Sequence, residues 1–226
     1  MSQSTIKSVS TEKGECFDLK SAVAASSLRG FGLAFINLLL ATLFILFAIA
    51  NAKSFLVNPR LSVFLIVVTE TIVAVFLVIR RDPDETYHSW QTWFTTTCGT
   101  LAPFLLRPVD ATADVLLGNI FQISGFLLQI FALLALNRCI GLLPAYRGVK
   151  SSGLYGVVRH PLYMAYVITF FGYLFNNPSP WNLGVVMGGT GFLIMRIRYE
   201  ELLLRKYADY VDYSSSTRWH LIPGVW

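Results

Sequence analysis

Arg159-His160-Pro161-Leu162-Tyr163 sets a cation, an imidazole and a phenol within five residues. Pro161 lacks an N–H and restricts His160, so a regular helix must break there and leave carbonyls free. Such a group suits a polar ligand that carries carboxylate, amine and aromatic ring together. It suits an interfacial anchor equally, with Arg and Tyr at headgroup level. A second cluster, Arg196-Ile-Arg198-Tyr-Glu200-Glu201, lies downstream. Arg196 and Glu200 are four residues apart and share a helical face, as a functional pair or as a surface ion pair.

The segments that must position these groups are apolar. The chain is 54% hydrophobic and only 14% charged, which exceeds the apolar content of soluble domains and makes a bilayer the expected solvent. The net charge of +5 falls largely at the ends of apolar runs, so it reads as membrane anchoring, and nucleic-acid binding is not expected. Cys16, Cys98 and Cys139 have no C-x-x-C spacing, and His88, His160 and His220 are scattered. Neither a disulfide framework nor a metal site is expected.

Phe31 to Ala50, Leu61 to Ile79 and Val115 to Leu136 are each close to the ~20 apolar residues that cross hydrocarbon. Trp93 to Leu106, rich in Thr and holding Gly99 and Pro103, reads as a broken or tilted span. Leu162 to Phe175 and Leu183 to Ile197 are shorter and read as a helical hairpin around NNPSPW. Gly184 and Gly188 have the GxxxG spacing that permits close helix approach, and MGGTG at Met187 to Gly191 reads as helix packing rather than a nucleotide loop.

Within the spans, Glu70 is a carboxylate at mid-membrane depth, where ionisation costs a few kcal/mol and the group should face protein or water. It reads equally as functional or as a packing residue. Asn119, Gln122 and Gln129 recur on one side of their helix and are expected to hydrogen bond between helices.

The expected architecture is an all-α, polytopic integral membrane bundle of five to six transmembrane helices. Residues 1–29 form a cytoplasmic tail with no cleaved signal sequence expected, 30–136 the N-terminal helices, and 137–226 the catalytic region. Lys and Arg concentrate in the tail, the loop after Arg80, the Arg138 to Arg159 loop and the C-terminal segment, which places both termini and the site on the cytoplasmic side. After Arg196 the last apolar helix is expected to continue as an amphipathic cytosolic helix, with Leu202, Leu203 and Tyr207 alternating with Glu201, Arg205, Lys206 and Asp209.

Taken together, G-x-Y-x-x-V-R-H-P-x-Y from Gly153 to Tyr163, a hairpin, R-x-x-x-E-E from Arg196 to Glu201, and a Tyr-rich tail ending in Ile222-Pro223 resemble the isoprenylcysteine carboxyl methyltransferase family. The wider group includes phospholipid N-methyltransferases. The resemblance implies a membrane methyltransferase that uses S-adenosylmethionine in a cytosol-facing pocket. By motif position it assigns cofactor contacts to Arg147, Gly148, Val149, Lys150, Tyr155, His160, Pro161, Leu162, Tyr163 and Glu200. Arg196 takes the substrate-orienting position. The stretch opens PAYRGVK where carboxyl methyltransferases usually carry a His.

The implied partners are a lipophilic or lipid-linked acceptor, an isoprenylcysteine-type carboxylate or a lipid amine, and membrane lipid of the inner or reticular membrane. Neither the methylated atom nor the oligomeric state is legible. Membrane sterol reductases, which use NADPH, share an R-H-P-x-Y motif but usually place Asn where Leu162 stands. A non-enzymatic scaffold is the other alternative, and it leaves the two motifs as coincidence.

Overall fold

A computed structural model describes residues 19–86, 89–107, 109 and 115–226. The tail through Asp18, with Cys16, and His88 in the α2–α3 loop lie outside the described residues. Two compact units divide within the first helix, Met1–Ile36 and Asn37–Trp226. The described part of the first is helix from Leu19. All that follows concerns the second.

Helix α1 (Leu19–Val57) outlasts the expected run at both ends, and α2 spans Leu61–Ile79 as expected. A two-residue strand β1 (Glu85–Thr86) precedes α3 (Trp90–Leu101), whose first turn is capped by Ser89 Oγ accepting from the Thr92 N–H at 3.1 Å. Pro103 cannot extend α3 with regular bonding, and the chain tightens into a 3₁₀ turn at Ala102–Leu105. At 12 residues, α3 is about 18 Å long and too short to cross hydrocarbon alone. This is the broken segment expected from its sequence.

Helix α4 (Leu116–Leu136) leads through a 3₁₀ turn to strand β2 (Ala145–Tyr146), which pairs antiparallel with β1. A third 3₁₀ turn, Gly153–Gly156, precedes α5 (Pro161–Asn176). Helix α6 (Pro180–Leu204) completes the hairpin and continues past Arg196, and α7 (Ala208–Ser216) follows. The last residues fold back, where the N–H groups of Arg159 and His160 donate to the carbonyls of Trp219 and His220 at 2.8 and 2.9 Å.

Three stretches are long and apolar enough to span a bilayer, Ala34–Val57, Leu61–Ile79 and Leu116–Cys139. Large apolar side chains on them point outward, among them Leu46, Val78 and Phe131. Water would penalise such a surface and lipid does not, so the protein is a membrane protein.

Close helix approach occurs between α4 and α5, at glycines other than the expected pair. A Cβ at Gly172 would lie 2.5 Å from the Gln122 backbone nitrogen, and one at Gly125 would lie 2.8 Å from that of Thr169. Gly184 and Gly188 instead face open space, so their GxxxG spacing joins no pair of helices here. In the MGGTG run, Gly189 alone packs closely, with Ala102 Cβ 3.0 Å from where its own Cβ would stand. Asn119 and Gln122 do bond between helices, both accepting from Asn176 Nδ2, at 2.9 and 3.4 Å.

Candidate active site

The break at His160-Pro161 starts the site. Pro161 occupies the first turn of α5, where its missing N–H costs nothing, and His160 becomes the cap with a non-helical backbone. This aims the imidazole at the C-terminal end of α6, between two adjacent carboxylates. His160 Nδ1 lies 3.6 Å from Glu200 Oε2, and Nε2 lies 3.1 Å from Glu201 Oε1. Successive residues on a helix point about 100° apart, so Glu200 and Glu201 reach the ring from different sides and serve different neighbours.

Glu201 is the structural partner. Its side chain is 7% exposed. Tyr210 Oη donates to Oε1 at 2.6 Å, and Arg159 Nη1 donates to Oε2 at 3.0 Å. Burial alone would push its carboxyl up, but the hydrogen bonds from His160 and Tyr210 and the Arg159 charge outweigh that and hold it well below the usual range. Arg159 itself is committed, because Nε donates to the Thr217 carbonyl at 2.7 Å and Nη2 to that of Ser214 at 3.0 Å. The arginine of the RHPLY run therefore ties α7 and the C-terminal tail to the start of α5. The amphipathic pattern beyond Arg196 is inverted here: Glu201 points inward, whereas Leu202 is exposed.

Glu200 faces the other way, into a cavity. It accepts a short hydrogen bond from Tyr163 Oη, and Arg196 Nε lies 3.5 Å from Oε1. Arg196 is buried, so the pair is no surface ion pair. Its Nη2 donates to the Gly141 carbonyl at 2.8 Å and its guanidinium lies 5.2 Å from the Tyr163 ring centroid. The buried Nε has no hydrogen bond.

The cavity, about 200 Å³ in volume, joins both motif segments to the N-terminal helices. Arg147, Gly148, Val149, Lys150, Tyr155, His160, Leu162, Tyr163, Arg196 and Glu200 all line it. Pro161 does not, and its part is to start α5. Gly148 adopts φ +85 with open space where a side chain would stand, so the backbone itself forms that wall. Arg147 is fixed by donating from Nε to the Arg81 carbonyl at 3.0 Å, and burial, helped by the Arg80 charge, pushes its guanidinium down to about 10. Burial pushes the Tyr155 phenol up, and its carbonyl accepts from Tyr213 Oη at 2.6 Å.

The rest of the cavity is lined largely by apolar side chains, in part from helices that the motifs do not include. Phe44 and Phe47 of α1, Leu77 of α2 and Leu193 of α6 line it, with Glu70 and Gln129 as polar groups. One cavity thus combines charged and apolar lining. Residues 113–209 match the phospholipid methyltransferase family. The match runs from the start of α4 into α7 and includes both motif segments. No curated protein matches the chain.

Sequence reasoning placed Glu201 in the second motif but gave it no role. The signal was its adjacency to Glu200, since two neighbouring helical carboxylates cannot both face one pocket. Tyr166, Gln129 and the aromatic wall of α1 carry no local motif, and only packing brings them to the cavity.

Proposed function

We propose that this protein is an S-adenosylmethionine-dependent integral membrane methyltransferase that methylates a lipophilic acceptor from the cytosolic side. The observation that carries the reading is the cavity that sets the charged side chains of both motifs beside apolar side chains of the membrane helices. The donor is a sulfonium cation with an amino-acid group, a ribose and an adenine. Carboxylate, cation and aromatic groups stand together in the cavity's lining, and the buried Arg196 Nε there lacks a hydrogen bond among the described residues. These residues fit such a molecule.

In this reading Glu200, oriented by Tyr163 and Arg196, holds the donor's positive groups. Arg147 and Lys150 take its carboxylate, while Tyr155, Leu162 and the backbone at Gly148 and Val149 bound the adenosine part. His160, clamped between Glu200 and Glu201, keeps Glu200 in place and faces the cavity. Arg196 points an acceptor toward the donor's end, its guanidinium fixed at Gly141 and above Tyr163. When bound, the donor supplies an electrophilic methyl group. The protein's contribution is proximity, alignment and exclusion of water, since in-line displacement at a sulfonium disperses charge and needs no protein nucleophile.

The hairpin of α5 and α6, together with α3 and its 3₁₀ turn, complete five or six crossings in this reading. α6 enters the cytosol beyond Ile197. The 1–29 tail, the 30–136 helices and the 137–226 catalytic region are its three parts. The test is transfer of labelled methyl from S-adenosylmethionine to an organic-extractable product by the purified protein in lipid. Label should accumulate with wild type and not with Glu200→Ala; equal accumulation with the two contradicts the reading, and NADPH-dependent reduction of a sterol in its place supports a reductase.

A further inference from the structure

Helix α6 presents Arg198, Leu202 and Arg205 on one face, because residues four and seven apart recur on the same side of a helix. All three are exposed. Arg198 follows directly on the apolar stretch that ends at Ile197, and Met187 and Met195 of that stretch point outward. A cation at the end of a lipid-facing run stands at headgroup level. The folded-back tail supplies a second wall. Trp226 stacks on His220 with ring centroids 5.0 Å apart, and its carbonyl accepts from the N–H groups of Leu221 and Ile222 at 2.9 and 3.0 Å. Between the two walls runs an open groove of about 420 Å³, which shares no lining residue with the motif cavity.

The groove carries more positive than negative charge. Glu201 borders it, but that carboxylate already engages Arg159, His160 and Tyr210. Arg205 keeps one contact to it, at 3.3 Å from Nε, and its side chain remains 61% exposed. The Arg198 side chain has no hydrogen bond or ion pair among the described residues. Anchoring by charge alone asks only for cations somewhere at the end of a span. Here two guanidinium forks share a groove with an indole and a leucine, a combination that suits a phosphate carrying acyl chains. Exposed Ile222 and Val225 extend the apolar rim beside Trp226.

We propose that this groove binds an anionic phospholipid, with the forks of Arg198 and Arg205 on its phosphate oxygens and its first acyl carbons against Leu202 and Trp226. The lipid is a standing partner of the fold and not a methyl acceptor, since the groove and the motif cavity are lined by different residues. The proposal therefore stands apart from the donor reading. Glu201 links the two places, because it borders the groove and touches His160, which lines the motif cavity. A lipid held there braces α6 and the tail beside the carboxylate on which both depend.

The test uses full-length protein in nanodiscs of phosphatidylcholine, with and without phosphatidylglycerol, read by melting temperature and by native mass spectrometry of the lipid retained. Phosphatidylglycerol should raise the melting temperature of wild type and be retained in preference to phosphatidylcholine. Arg198→Gln should lower phosphatidylglycerol affinity about fivefold and Arg198→Gln/Arg205→Gln about 25-fold, with phosphatidylcholine retention unchanged. Lys53→Gln/Arg60→Gln, which removes two exposed charges elsewhere, should retain the lipid as wild type does. Equal retention of the two lipids by wild type, or an equal loss in the Lys53 and Arg60 variant, overturns the proposal. Inorganic phosphate that stabilises wild type in pure phosphatidylcholine as much as phosphatidylglycerol does makes the ligand a free anion and overturns it too. If the double variant fails to fold, Arg198→Gln decides alone, since that side chain holds no other part of the described structure.

Discussion

His160 Nε2 and Glu201 Oε1 stand 3.1 Å apart, and this contact joins the first turn of α5 to the C-terminal end of α6. Tyr210, Arg159 and Arg205 converge on the same carboxylate, so one side chain gathers α5, α6, α7 and the C-terminal tail.

Glu201→Gln should therefore act on stability before chemistry. Removing the charge leaves Arg159 buried without its carboxylate, and breaking a buried pair costs about 3–5 kcal/mol. Because the fold holds the Glu201 carboxyl below its ordinary value of 4.5, its contribution is fully present above that pH and is lost as pH falls toward the folded value. Thermal unfolding at pH 7 and at a pH well below 4.5 should show a gap between wild type and variant that narrows in the more acidic medium. A gap independent of pH contradicts the assignment.

The tyrosines around that carboxylate give the alkaline counterpart. Burial pushes Tyr213 up to about 12 and pushes Tyr155 and Tyr210 above the usual phenol range. Their raised values contribute stability that is present below pH 10, the ordinary phenol value, and lost as pH rises through the folded values. Phenolate absorbance should show a late-titrating class whose appearance coincides with unfolding. Complete titration near pH 10 in folded protein would count against this packing.

The glycine contacts predict opposite outcomes for two similar substitutions. Gly172→Ala places a methyl against the α4 backbone and should cost about 1–3 kcal/mol. Gly184→Ala enters open space on an exposed helix and should be neutral or stabilising by up to about 1 kcal/mol. Melting temperatures of the two variants decide the point; a loss at Gly184 as large as that at Gly172 would show that the GxxxG face is packed.

Arg196→Lys keeps a charge and loses the fork that reaches Gly141 and Glu200 together. Misplacement of an orienting group by about 1 Å costs on the order of 100-fold in rate, so kcat should fall by that order while donor binding changes little. Unchanged kcat would remove Arg196 from the acceptor's path.

Much of this was legible in the residues, and the rest has physical reasons. The spans α1, α2 and α4 follow from length and apolarity alone. His160-Pro161 announces a helix break, and the structure puts it at the first turn of α5. Beyond Arg196 the periodicity suggested that Leu202 packs and Glu201 is solvated. The reverse holds for those two residues, because four donors outweigh the desolvation of one carboxylate. The cavity's apolar lining was not legible, since Phe44, Phe47 and Gln129 look like ordinary span residues until helices pack. GxxxG at Gly184 misled for a related reason: spacing permits an approach, and only a facing partner makes one.

The most direct measurement is calorimetric titration of S-adenosylhomocysteine into detergent-purified full-length protein and into Glu200→Ala. The account predicts saturable binding to wild type that weakens at least about tenfold, roughly 1.4 kcal/mol, in the variant. Absence of binding by well-folded wild type, or equal affinity in the two proteins, would contradict it.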